Sequence, residues 1–215
     1  MAIPTISPYP LPAEGDLPVN RTGWRVDPDR AVLLVHDMQQ YFVDFFPAGQ
    51  APMADVVRNI DALRRAAAEQ GVPVAYTAQP GGMTPLERGL LRDFWGPGMD
   101  ADPERRRIVA PLAPGPDDIV LTKWRYSAFA RTELHEVMTA RGRDQLVVCG
   151  IYAHIGCLMT ACDAFTRDVQ PFMVADAVAD FSLEDHLMAL DWAAGKCAVT
   201  LSTGAVVAAL LGRPD

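Results

Sequence analysis

The segment Ala31-Val32-Leu33-Leu34-Val35 is an unbroken apolar run that stops at His36-Asp37. A short run without polar alternation fits a strand covered on both faces, as found in parallel sheets layered by helices. The same theme returns along the chain. Val56, Ile60, Leu63 and Ala67 recur at helical spacing, and Gly71 stops that helix. Residues 72–77 read as a second strand. Ile119-Val120-Leu121-Thr122 reads as a third, ending at Lys123. Residues 145–149, Phe172-Met173-Val174-Ala175 and residues 198–201 supply a fourth, fifth and sixth. Helices fall between them: one capped by Thr132, one after the turn at 150–156, one from Ser182 with Asp185 three residues on, and a terminal one. This alternation predicts an α/β fold, a three-layer α/β/α arrangement on a six-stranded, mostly parallel sheet with right-handed crossovers. No repeat or internal boundary is visible, so residues 1–215 read as a single domain, with a Pro-rich N-terminal arm over about 1–28.

Charge narrows the partners. Nineteen Lys and Arg stand against 27 Asp and Glu, a formal net charge of −8. Nucleic acid and anionic membrane surfaces both call for basic patches, so neither is expected as a partner. The N-terminus lacks the basic start and apolar run of a secretory signal, and no apolar stretch is long enough to span a bilayer. A cytoplasmic protein with reduced Cys149, Cys157, Cys162 and Cys197 is expected, and their spacing matches no paired zinc pattern.

In parallel sheets of this kind, sites form at the carboxyl ends of the strands. Asp37 ends the first strand, Lys123 the third, and Cys157 follows the fourth at a helix start. Taken singly, each has an ordinary reading. A carboxylate after a strand is most often a cap or turn former, a lysine a solvated cation, and a cysteine a small buried apolar residue. Cys149, Cys162 and Cys197 take that last reading, whereas a helix N-terminus favours a thiolate at Cys157. Three reactive types on one edge point to a catalytic set. His36 adjoins Asp37 but points to the opposite strand face, which marks it as structural. His154 supports the turn before Cys157. His135 and His186 read as ordinary helix residues, and Asp176 and Asp180 as turn and capping groups. From sequence alone Arg88 reads as a surface arginine, and Phe42 and Trp95 read equally as core or cleft wall.

Longer blocks are more specific. Val35-His36-Asp37-Met38-Gln39, Tyr76-Thr77-Ala78-Gln79-Pro80, Asp93-Phe94-Trp95-Gly96-Pro97-Gly98, Lys123-Trp124-Arg125-Tyr126-Ser127-Ala128-Phe129 and Gly150-Ile151-Tyr152-Ala153-His154-Ile155-Gly156-Cys157 resemble the isochorismatase family, as does the stretch Val174-Ala175-Asp176-Ala177-Val178-Ala179-Asp180-Phe181-Ser182. The resemblance reaches from the N-terminal arm to about Thr203. It implies a hydrolase with Asp37, Lys123 and Cys157 as the catalytic set and Gln79, Arg88, Tyr126, Tyr152, Gly156, Phe42 and Trp95 as substrate contacts. It also implies a non-proline cis peptide between Ile151 and Tyr152, and a homodimer. No metal or cofactor is implied, because Ala54-Asp55-Val56-Val57-Arg58-Asn59 lacks the histidine pair of metal-dependent relatives.

The implied substrate is a small dianion, isochorismate or 2-amino-2-deoxyisochorismate, whose enolpyruvyl vinyl ether is cleaved. Such a bond needs an acid at its methylene carbon rather than a nucleophile, and Asp37 is the candidate. Burial would favour its neutral form and Lys123 its anion. The segments at 79–84 and 113–118 resemble the phenazine branch of the family more than the siderophore branch, and a chain ending at Asp215 leaves no room for a carrier domain. Two other readings remain open: a Cys157-dependent amidohydrolase, and a non-catalytic binding module on the same fold.

Overall fold

The computed structural model describes residues 3–212, so Met1 and Ala2 of the expected arm and the last three residues of the expected domain lie outside the described residues. Six strands form one sheet: β1 (Ala31–His36), β2 (Val74–Ala78), β3 (Ile119–Thr122), β4 (Gln145–Ile151), β5 (Gln170–Ala179) and β6 (Val199–Leu201). Their order is β3-β2-β1-β4-β5-β6, and every pairing is parallel. The order reverses between β1 and β4, which makes that edge the switch point where ligands bind in open α/β sheets.

The two-residue period of the strands builds two apolar layers. Leu33, Val35, Tyr76, Val147, Cys149 and Phe172 point to one face. Helices α1 (Met53–Glu69) and α5 (Thr203–Leu210) pack there, through Val56, Ile60, Leu63 and Val206. Val32, Leu34, Ala75, Leu121, Leu146 and Met173 point to the other. They meet α2 (Leu134–Ala140), α3 (Leu158–Thr166) and α4 (Leu183–Lys196) through Leu134, Met138, Ala161 and Leu190. All six residues of β1 are buried, as its unbroken apolar run requires. Edge strand β3 leaves Val120 at 56% exposure.

Several local expectations shift. The second strand begins at Val74 rather than at residue 72, and β5 runs to Ala179, well past the expected end at Ala175. Its extension follows a register shift against β4 between Val148 and Gly150, a bulge that periodicity does not reveal. Gly150 is required there: at φ +109° a Cβ would sit 2.2 Å from the carbonyl oxygen of His36. Thr132 does not cap α2 itself. Glu133 holds the cap position, while the Thr132 hydroxyl accepts from the N–H of Leu134. His186 is no ordinary helix residue. It is fully buried, with Nε2 bonded to the carbonyl of Ala175 and Nδ1 to the Tyr9 hydroxyl of the arm. Asp176 lies inside β5 and accepts from the N–H and hydroxyl of Thr203 at the start of α5.

Candidate active site

Asp37 leaves β1 in a left-handed conformation, φ +49°, which is uncommon for a non-glycine residue. Strand register explains what meets it. His36 pairs with Thr77 across β1 and β2, so Thr77 stands beside Asp37. The Thr77 hydroxyl donates to Asp37 Oδ1 at 2.7 Å and accepts the Asp37 N–H at 3.1 Å. Asp37 Oδ2 accepts from Lys123 Nζ at 2.8 Å and from Gln79 Nε2 at 3.0 Å. Asp37 and Lys123 are only 4% and 2% exposed. Thr77 was not among the residues expected at the site. The signal was there in its position two residues before Gln79 on the neighbouring strand, but it needs the register to be read.

Burial pushes the Asp37 carboxyl upward and is the largest single influence. Lys123, His36 and the hydrogen bonds from Lys123 and Gln79 together outweigh it, so the carboxyl lies below its ordinary range and is ionised. His36 is driven down to about 4 by burial and is a neutral imidazole. Its Nδ1 donates to the carbonyl of Ile151 at 2.8 Å. His36 therefore supports structure, as expected, but it also lines the cleft. Gly156 makes room for it, since a Cβ there would lie 2.1 Å from the imidazole Cε1.

Gln79 is aimed by Gln39. The Gln79 N–H donates to Gln39 Oε1 at 2.7 Å, and Gln39 Nε2 donates to the carbonyls of Gln79 and Arg106 at 3.0 and 2.7 Å. Arg88 ends a short helix, Pro85–Arg88, whose N-cap Thr84 forms a capping box with Glu87. Far from being a surface arginine, it is 6% exposed, with Nη1 donating to Gln79 Oε1 at 3.2 Å and Nε to the carbonyl of Gly96 at 3.2 Å. The sequence hid this because the loop at 80–103 folds back over the sheet edge.

After β4 the chain passes through the cis peptide Ile151–Tyr152, at the expected bond, and then a π-turn, Ala153–Cys157. Tyr152 packs against Phe42, Phe46 and Phe181 with ring centroids 6.2, 5.9 and 4.6 Å away, and its hydroxyl donates to the carbonyl of Phe42 at 3.0 Å. Trp95 Nε1 donates to the Tyr126 hydroxyl at 2.7 Å. Cys157 departs from expectation. It is fully buried in the core layer of α3 and α4, and burial above all holds its thiol well above the ordinary value. Desolvation overrides the helix start, so the expected thiolate does not form.

The cleft encloses about 630 Å³, part of it open to solvent. Asp37, Lys123, Gln79, Arg88, Tyr126, Tyr152, Gly156, Phe42 and Trp95 all line it, whereas Cys157 does not. His36, Tyr41, Met99, Arg125 and Phe181 also line it and were not expected there. Among the described residues, the only acid lining this surface is Asp37, against Lys123, Arg88 and Arg125. The arrangement thus presents one carboxyl and an excess of cations beside an aromatic wall, a setting for a small apolar anion. Among the described residues, His154, Asp180 and Asp185 bring possible metal-ligand atoms within 4.8 Å of one another. Asp180, however, already accepts from the His154 N–H, His154 Nδ1 and the Phe181 N–H at 2.6, 2.6 and 2.8 Å. That geometry fits a His–Asp ion pair fixing the turn.

Comparison with known proteins gives a consistent picture. The family model described as the isochorismatase domain matches residues 31–205. The chain is 56% identical over 214 residues to an isochorismatase of Bacillus subtilis strain 168, covering 100% of this chain and 69% of that protein. It is 56% identical over 205 residues to the phenazine biosynthesis protein PhzD of Pseudomonas fluorescens, covering 95% and 98%. A solved cysteine hydrolase of Pseudomonas syringae pv. phaseolicola 1448A superposes with a TM-score of 0.82 at 26% identity, covering 91% and 98%.

Proposed function

The chain belongs to the isochorismatase family, and from that premise we propose that it is an isochorismatase, hydrolysing the enolpyruvyl vinyl ether of isochorismate, 2-amino-2-deoxyisochorismate, or both. The observation that carries this reading is a buried carboxyl, Asp37, held at one end of the cleft by Thr77, Gln79 and Lys123 while the one nearby thiol stays buried and neutral. An acid without a nucleophile suits a vinyl ether and does not suit an amide.

The substrate carboxylates enter a cleft whose charged groups are mostly cationic. One of them, beside Lys123, competes with Asp37 for that ammonium and weakens what keeps Asp37 ionised. Asp37 then takes up a proton and delivers it to the vinyl methylene carbon. The electron pair of the double bond forms the new C–H bond, and the ether oxygen shares the resulting positive charge as an oxocarbenium ion. Water adds to the charged carbon and gives a proton back to the Asp37 carboxylate. The hemiketal collapses as its hydroxyl proton is lost, the carbonyl forms, and the bond to the ring oxygen breaks with a proton supplied to that oxygen. The products are pyruvate and a ring alcohol, a dihydrohydroxyanthranilate or a dihydrodihydroxybenzoate. The acid step supplies about 10²–10⁴-fold of rate, and the cations and aromatic wall hold the reacting carbon over Asp37.

With this reading go a single hydrolase domain over the whole chain, a cytoplasmic homodimer, no nucleic-acid or membrane partner, and no metal or cofactor. The net charge of −8 is in keeping with it, and no described helix is long and apolar enough to cross a membrane. The segments at 79–84 and 113–118, which resemble the phenazine branch, favour the amino substrate and a phenazine-type pathway.

The test is pyruvate release from each compound by the wild type, Asp37→Ala and Cys157→Ala. Release that survives loss of Cys157 and collapses without Asp37 is expected. Loss with Cys157→Ala in a folded protein, or turnover of amides alone, would move the activity to a cysteine amidohydrolase. A protein that turns over neither class would be a binding module.

A further inference from the structure

Resting on that reading, we propose that Arg125 is a specificity-determining residue that receives the ring carboxylate of the substrate at the cleft mouth, in a seat it shares with Arg88. Arg125 lines both the cleft and the open groove beside it, so it stands where the two meet. Its Nη1 is fixed by the carbonyls of Glu87 and Trp124, at 2.9 and 2.6 Å. No protein partner takes its Nε or Nη2 among the described residues, so two N–H edges of a positioned guanidinium are free.

Charge points the same way. Arg30, Arg58, Arg65, Arg105, Arg107 and Arg167 each pair with a carboxylate. Other arginines, such as Arg64, Arg141 and Arg143, donate only to carbonyls. What sets Arg88 and Arg125 apart is that they line the cleft and form no ion pair among the described residues. They lie near enough that Arg125 helps lower the Arg88 pKa, after the larger effect of burial. Two like charges on one wall, one of them 6% exposed, are costly unless an anion joins them. Guanidinium forks suit a carboxylate, and two forks select a fixed orientation.

Which carboxylate sits there follows from the chemistry. The vinyl methylene must reach Asp37, and the enolpyruvyl carboxylate is bonded to the adjacent carbon. That carboxylate therefore lies by Lys123, 2.8 Å from Asp37 Oδ2. The ring carboxylate is displaced from the reacting bond by the ether oxygen and the ring. It falls toward Arg88, which reaches Asp37 only through Gln79, and toward Arg125 beyond it. Arg125 thus separates dianionic from monoanionic enolpyruvyl compounds without touching the reacting atoms.

The experiment is a two-by-two comparison of wild type and R125Q on the preferred substrate and on its ring-carboxamide analogue, with R125K alongside. Thermal melting checks that each variant folds. For the natural dianion, R125Q is expected to raise KM by roughly tenfold to a hundredfold with kcat little changed. For the carboxamide, wild type and R125Q should differ by less than about twofold, because the interaction being deleted is already absent. R125K should recover part of the loss, as it restores charge but not the fork. An equal rise in KM on both compounds would mean that Arg125 only tethers the Pro85–Arg88 helix, and an unchanged KM on the dianion would remove it from the site. Either result overturns the inference while leaving pyruvate release by the wild type intact. No release by the wild type would instead overturn the reading on which it rests.

Discussion

Two parts of one sheet edge hold reactive side chains in opposite states. On the β1–β2–β3 side, Asp37 is 4% exposed yet ionised, because Lys123, Gln79 and Thr77 all donate to it. On the β4 side, Cys157 is fully buried in an apolar core layer, and burial above all keeps it a thiol. Burial is the largest influence on both groups. What differs is whether hydrogen-bond donors and a cation follow the group inside. The lesson is that position at a carboxyl edge nominates a residue, while the local donor set decides what chemistry it can do.

The widest separation should appear in turnover. Asp37→Asn keeps the shape and removes the acid, and kcat for pyruvate release is expected to fall by about 10²–10⁴-fold. Cys157→Ala should leave kcat within about twofold and cost about 1–2 kcal/mol of stability, as for other modest core truncations. A steady-state comparison of the two variants breaks the contrast if the cysteine variant is the slower one.

Next comes the ion pair itself. Lys123→Met leaves Asp37 buried without its cation, and urea denaturation at neutral pH should show a loss of about 3–5 kcal/mol. The pH dependence has a definite sign. A carboxyl whose folded pKa is depressed stabilises the protein above its unfolded value, about 3.9. That contribution fades as pH falls through the lower folded value. The gap between wild type and Lys123→Met must therefore narrow in acid. A gap that widens there would mean that Lys123 does not hold Asp37 in its anionic form.

On the other side of the edge, Gly156→Ala tests the close approach of the turn to His36. A Cβ would meet the imidazole at 2.1 Å. Overpacking of that kind costs about 1–3 kcal/mol. It should also disturb the His36–Ile151 bond that ties the two sides together. A melting temperature equal to that of the wild type would show that the turn relaxes freely.

How much of this could be read from residues alone varies with the length scale. The unbroken run at 31–35 and the helical spacing from Val56 to Ala67 report burial directly, so strands, helices and sheet edge were legible. Asp37, Lys123 and Cys157 were legible as neighbours of strand ends for the same reason. Thr77 and His36 were harder, because their roles depend on the register of β1 with β2 and with β4. Arg88 and Arg125 were hardest to place. They come from irregular segments whose path over the edge is set by side-chain contacts, such as Arg88 with Gly96 and Arg125 with Glu87, rather than by periodicity. The state of Cys157 was misjudged because the helix start is visible in sequence and the surrounding apolar shell is not.

The smallest expected effect concerns His154, which ties the turn after β4 to the end of β5 through Asp180. Desolvation lowers its pKa, but the hydrogen bond and charge of Asp180, with Asp185, more than offset this, so the folded value is raised above 6.5. Its Nδ1 lies 2.6 Å from Asp180 Oδ1, and its side chain is 23% exposed. A raised histidine stabilises the folded chain fully below its unfolded pKa, about 6.5, and that contribution is lost as pH rises through the folded value. Asp180 also accepts from the backbone of residues 154 and 181, so the pair holds the π-turn against the segment carrying Phe181. His154→Gln retains a side-chain donor without the charge. Its stability deficit, about 0.5–1.5 kcal/mol for one hydrogen bond, should be largest near pH 6 and shrink toward pH 9. Chemical denaturation at a series of pH values measures this. A deficit that is flat across that window, or that grows with pH, would show that His154 is neutral in the folded protein and that its contact with Asp180 acts without the imidazolium charge.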